Sequence, residues 1–205
     1  MIKNIVFDVG DVIINWHPRD IISQFTNDEE AIEILSKEIF FNTDWYRMDS
    51  GELSYWDGVE LFKSRVPDNL KEYVDLILNP DNWGNLNIYS KETEDLIDKL
   101  KENGYKCYIL SNMSDVMGKT ITDSSPGKKM DGLIFSAFEH TVKPNKEIYE
   151  ILFNRYNLKP EECFFIDDRK ANIDAGISLG MKGHVFDIKD YDSLYKALKE
   201  EGITI

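Results

Sequence analysis

Only two cysteines occur among the 205 residues, Cys107 and Cys163, and each sits inside an apolar run that reads as a strand. Two such residues make a poor disulfide framework and read as core thiols of a protein kept in a reducing compartment. Positive charge is also scarce: 24 Lys and Arg stand against 38 Asp and Glu, for a formal net charge of −14. That balance argues against a nucleic-acid or anionic-membrane surface, since both are polyanions. It leaves room for a phosphate ligand, which needs only a local positive site. No apolar run approaches the roughly 18 residues of a membrane span. The start "MIKNIVFDVG" carries Asn4 and Asp8 too early for a secretory signal. A soluble cytoplasmic protein is expected. Internal repeats, low-complexity tracts and linkers rich in Gly or Ser are missing too. The length suits one α/β domain, or such a domain with a smaller insert.

What is present alternates. Five short apolar runs, "IVFDV", "KCYILSN", "LIFSAF", "FFIDD" and "HVFDI", are separated by helical patterns, which predicts βαβ units and a parallel sheet. In "SKETEDLIDKLKENG" Ser90 can N-cap, Leu96, Ile97 and Leu100 form an apolar stripe, and Gly104 ends the helix. The rhythm breaks from Asn15 to about Asn85, where amphipathic stretches such as "EEAIEILSKEIFF" and "YWDGVELFKSRV" occur without a convincing strand. The expected architecture is α/β: a parallel sheet from residues 1–14 and 86–205, with a smaller helical insert, residues 15–85, after the first strand.

Open parallel sheets bind ligands beyond the carboxyl ends of their strands. The residues found there are Asp8, then Ser111 with Asn112, then Asp167 with Asp168. Lys143, in "HTVKPNKEIY", falls between the second and third of these. Asp, Ser and Asn at strand ends also cap the next helix, and for any one of them alone capping is the simpler reading. The adjacent pair Asp167 and Asp168 shifts the balance, because neighbouring acids repel and only one can cap. A hard divalent cation relieves that repulsion, with Asp8 adding a carboxylate from another strand. Mg²⁺ is the natural candidate.

Taken together, "FDVGDV", "YILSN", "KPNKEIY" and "FFIDDRKANIDAG", in this order and with a helical insert after the first, resemble the four motifs of the haloacid dehalogenase superfamily. The resemblance spans nearly the whole chain, and four ordered motifs are far more specific than one. It implies a Rossmann-like parallel-sheet core with a small helical cap inserted after the first strand. It also implies that Asp8 is a nucleophile, that Ser111 and Lys143 hold the transferring group, and that Asp168 with Asp167 holds Mg²⁺, joined by Asp8 and the carbonyl of Gly10. Asn112, beside Ser111, joins the substrate-binding candidates. The form "FDVGDVI", with Gly two places after the nucleophile, is similar to a subgroup containing bacterial sugar-phosphate phosphatases. The implied function is Mg²⁺-dependent hydrolysis of a small-molecule phosphate ester through an aspartyl-phosphate.

The chemistry suits the residues. A carboxylate is a weak nucleophile, but it can attack a phosphorus whose oxygens are neutralised by a cation, splitting one hard step into two. Loss of Lys143 should then cost orders of magnitude in rate while the melting temperature barely moves. A 2-haloacid dehalogenase is disfavoured, since Asp167 and Asp168 would repel its carboxylate substrate. A non-catalytic binding protein stays open because of Gly10, where most phosphatases of the superfamily place an Asp as general acid and base. Gly10 also suits a sharp turn. If the segment stays extended, the Asp11 side chain points to the opposite side and serves a structural hydrogen bond instead. Without an acid, sugar 1-phosphates should turn over better than 6-phosphates. In "NTDWYRMDSGELSY", Trp45 and Tyr46 offer flat faces for a sugar and Arg47 a charge, although such aromatics are more often cap core. His17, just past the first motif, reads as structural or exposed.

Overall fold

The computed structural model describes residues 1–83, 86 and 88–205. Its strands are β1 (Asn4–Phe7), β2 (Lys106–Ser111), β3 (Gly132–Phe135), β4 (Cys163–Asp167) and β5 (Lys182–Val185). They form one sheet in the order β3-β2-β1-β4-β5, and every neighbouring pair is parallel. The alternation of side chains divides the core into two layers, as expected for a sheet covered on both faces. Val6, Tyr108, Leu110 and Phe165 face one layer, while Ile5, Phe7, Ile109 and Ile166 face the other. Cys107 and Cys163 lie on the two strands flanking β1 as free buried thiols. Burial pushes both up to about 12, so they are inert core residues.

Among the described residues, six α-helices separate β1 from the helix that leads into β2. They are α1 (Pro18–Ile22), α2 (Glu29–Leu35), α3 (Thr43–Asp49), α4 (Tyr55–Arg65), α5 (Lys71–Ile77) and α6 (Pro80–Trp83). No named strand lies among them within the described residues. The stretch read as one helix from Glu29 divides at Leu35, and Ser36–Phe40 forms a π-helical turn. The apolar faces of these helices, with Ile21, Leu35, Phe62 and Val74, run continuously into the sheet layer that holds Ile5 and Phe7. The boundary expected at Asn85 lies outside the described residues.

Helix α7 (Lys91–Glu102) follows its sequence pattern: the Ser90 hydroxyl accepts from the Thr93 N–H at 3.2 Å, and Leu96, Ile97 and Leu100 are buried. The remaining helices are α8 (Asp115–Asp123), α9 (Ser125–Lys128), α10 (Ser136–Glu139), α11 (Lys146–Tyr156), α12 (Lys170–Ser178) and α13 (Tyr191–Glu200). Two strand ends differ from expectation. The "SAF" of "LIFSAF" opens α10, because Ser136 turns inward and bonds across to other segments instead of extending β3. Strand β5 starts at Lys182 and ends level with Asp167, where the Phe186 N–H still donates to the Asp167 carbonyl at 2.9 Å and the Phe186 side chain buries in the core. No described helix is long and apolar enough to cross a membrane.

Candidate active site

Because the sheet is parallel, the carboxyl ends of β2, β1 and β4 open onto one rim. Asp8 stands one residue past β1, tied to β4 by its N–H donating to the Ile166 carbonyl at 2.9 Å. Its Oδ1 accepts the Val9 N–H at 2.7 Å. Ser111 ends β2 and is buried. Asp167 ends β4, with Asp168 next in the chain. One carboxylate oxygen from each of Asp8, Asp167 and Asp168 lies within 4.8 Å of the others.

Lys143 completes the cluster. Its ammonium lies 2.9 Å from Asp8 Oδ1 and 2.6 Å from Asp167 Oδ2, and the residue is only 4% exposed. Burial alone disfavours the ammonium, but the charges of Asp8 and Asp167 overcome it and hold Lys143 above the usual lysine range. The Asn112 side chain fixes the Lys143 backbone from both sides: Oδ1 accepts the Lys143 N–H at 2.8 Å, and Nδ2 donates to the Lys143 carbonyl at 3.0 Å. The Asn112 amide thus positions Lys143.

Asp167 is saturated. It accepts from the Arg169 N–H at 2.8 Å, from Asn172 Nδ2 at 2.9 and 3.0 Å, and from Lys143. Burial and the Asp8 charge still push its carboxyl upward, against the pull of Lys143. Asp168 is half-buried, and burial, then the charges of Asp8 and Asp167, push it up to about 6. Three convergent carboxylates against one ammonium leave an excess of negative charge, and the donors are all oxygen. That set fits a hard divalent cation. Asn172 and Asn112 are the positioning residues that sequence reasoning missed. The signal for Asn172 was its spacing, five places after Asp167, which puts the first turn of α12 back over the strand end.

The turn after β1 differs from expectation. It is not extended, since Ile13 and Ile14 N–H both return to the Val9 carbonyl at 2.8 and 3.0 Å. Asp11, at φ +49°, takes the left-handed backbone that had been assigned to Gly10, and Gly10 itself has none. A Cβ built on Gly10 meets only Trp16, at 3.6 Å, so the turn does not require glycine there. Asp11 Oδ1 accepts the Trp16 N–H at 2.8 Å, the structural bond anticipated for it. The cap residues divide. Trp45 packs on Trp16 and Phe40, with ring centroids 5.6 and 4.8 Å apart. Arg47 pairs with buried Asp44 at 2.8 Å, beside Arg65, so its charge is engaged within this helical segment. Tyr46 is exposed. His17 lines a cavity of about 360 Å³ with Asp11, Asp168 and the segment from Val185 to Lys189.

A parallel α/β sheet with acids at adjacent strand ends, a buried lysine between them and a helical segment after the first strand defines a hydrolase architecture built around a carboxylate. The family model described as haloacid dehalogenase-like hydrolase matches residues 2–180, and the chain belongs to that family. It is similar to a D-ribitol-5-phosphate phosphatase of Bacteroides thetaiotaomicron, 28% identical over 89% of this chain and 90% of that one. It is similar also to a sesquiterpene phosphatase of Aspergillus oryzae, 24% identical over 88% of each chain. Among solved structures, a haloacid dehalogenase family enzyme of B. thetaiotaomicron in complex with magnesium and inorganic phosphate superposes with a TM-score of 0.68. It is 23% identical, with 90% of this chain and 93% of that one covered.

Proposed function

We propose that this protein is a Mg²⁺-dependent phosphatase acting on a small phosphorylated metabolite, with a sugar or polyol phosphate as the favoured class. The observation that carries the reading is the Lys143 ammonium held between Asp8 and Asp167 beside a half-buried Asp168. Asp8, Asp167, Asp168 and the Gly10 carbonyl would hold the cation. When bound, Mg²⁺ neutralises phosphoryl oxygens and relieves the repulsion among the three acids. Asp8 attacks phosphorus, Ser111 donates to a phosphoryl oxygen, and Lys143 offsets charge as the bond to the leaving oxygen breaks. Water then cleaves the aspartyl-phosphate and restores Asp8. Residues 15–85 serve as the cap that shields this exchange from bulk water.

The names of the two curated relatives support phosphate esters over haloacids. The acids do so as well, because a haloacid carboxylate would enter a site already rich in negative charge. The presence of the whole charge cluster argues against a purely binding role. A panel of phosphorylated metabolites assayed for phosphate release should show turnover that EDTA abolishes and Mg²⁺ restores. Turnover undiminished by EDTA would exclude the cation, and silence across the panel would leave the binding role standing.

A further inference from the structure

The reaction needs a proton for the leaving oxygen, and the usual donor position is Gly10. Asp11 is committed to the Trp16 N–H. We infer that Asp49, at the end of α3, is the general acid that protonates the leaving group. The inference rests on the phosphatase reading above.

The placement comes from several segments. The buried Ser136 hydroxyl donates to the Asp49 carbonyl and accepts the Met113 N–H at 2.9 Å. Met113 lies two residues past Ser111, and Ser136 directly follows β3. Asp49 is thereby tied to the ends of two strands on the rim. Two residues on, Gly51 sits at φ +73° against α10, where an added Cβ would lie 2.4 Å from the Ala137 carbonyl oxygen. No other residue lets the chain approach so closely, so the end of α3 is docked on the core. The carboxyl itself faces the Ser114 backbone N–H, the Trp45 side chain, Arg169 and Asp8. It therefore lies within electrostatic reach of the nucleophile, where the helical segment meets the rim of the sheet.

Its protonation agrees with the role. Burial raises the carboxyl, hydrogen bonding from Ser114 and Trp45 and the charge of Arg169 oppose the rise, and the Asp8 charge adds to it, leaving Asp49 pushed up to about 7. The residue keeps some exposed surface while its carboxyl is crowded by protein atoms. In the first step the Asp8 oxygen bonds to phosphorus, the bond from phosphorus to the ester oxygen breaks, and that oxygen takes the Asp49 proton. In the second step water attacks phosphorus, the bond to Asp8 breaks, and the water proton returns Asp49 to its acid form. With Asp49 present, the preference for 1-phosphates expected from the sequence loses its cause.

The test compares kcat/KM on an alkyl phosphate, such as a sugar 6-phosphate, with kcat/KM on 4-nitrophenyl phosphate, whose nitrophenolate leaves without a proton. This parameter reports steps only up to leaving-group release. Asp49→Asn should lose on the order of 10²-fold or more on the alkyl ester while the aryl ester changes only a few-fold. The same variant should favour a sugar 1-phosphate over its 6-phosphate. Equal losses on both esters, or none, would overturn the acid role and leave the phosphatase intact. Wild type inert on both would instead remove the phosphatase reading and this inference with it. A second measurement needs no variant: across a series of aryl and alkyl phosphates, wild-type kcat/KM should depend only weakly on leaving-group basicity. A steep dependence would overturn the inference.

Discussion

Asp8→Asn is expected to abolish phosphate-ester hydrolysis, lowering kcat/KM on the order of 10⁴-fold or more, with the fold intact. The amide has the shape of the carboxylate and lacks its nucleophilic charge. Lys143 keeps Asp167 at 2.6 Å, so no buried ammonium is stranded. The variant also removes one of three mutually repelling acids, so its melting temperature without metal should equal or exceed that of the wild type. Both values come from one preparation, by phosphate release and thermal unfolding. Activity within tenfold of the wild type would remove Asp8 from the nucleophile role. Lost activity with a collapsed melting temperature would assign Asp8 to the fold instead.

The sheet was legible in the sequence because most of its strands carry apolar runs, and the polar residues that end β1, β2 and β4 mark the rim. Asp8, Asp167 and Asp168 could be placed together from their positions at strand ends, and Lys143 from its place within the set of motifs. The roles of Asn112 and Asn172 could not, because each depends on a hydrogen bond between segments 31 and 5 residues apart. The turn after β1 was misread at Gly10, since the rule that glycine takes the unusual backbone gave way to Asp11, a residue type that also tolerates it. Asp49 went unremarked because its stretch was read for the aromatic faces of Trp45 and Tyr46. What distinguishes it is docking: Ser136 lies 87 residues further along the chain.

Lys143→Ala separates the sequence-based expectation from the structural one. From the motif alone, the residue serves only the transferring group and its loss should leave stability untouched. In the fold it is buried between two acids, one of them fully buried. Removing one member of such a pair costs about 3–5 kcal/mol when the other stays charged. Asp167 keeps its bonds from Asn172 and the Arg169 N–H and can take up a proton, so about 2–3 kcal/mol is expected, a fall of roughly 5–10 °C for a chain of this size. The sign with pH follows from the direction of the Asp167 shift. A carboxyl raised above its unfolded value costs nothing while protonated and costs stability as pH rises through its folded value. The deficit of Lys143→Ala should therefore be smallest at acid pH and widen as pH rises, and added Mg²⁺ should narrow it by supplying the missing positive charge. Activity should fall by about 10²-fold or more at every pH, as for loss of a charge that stabilises the transition state. An unchanged melting temperature at pH 8 would show that the pairing contributes nothing to the fold. Retained activity would show that Lys143 holds the acids together and does no more.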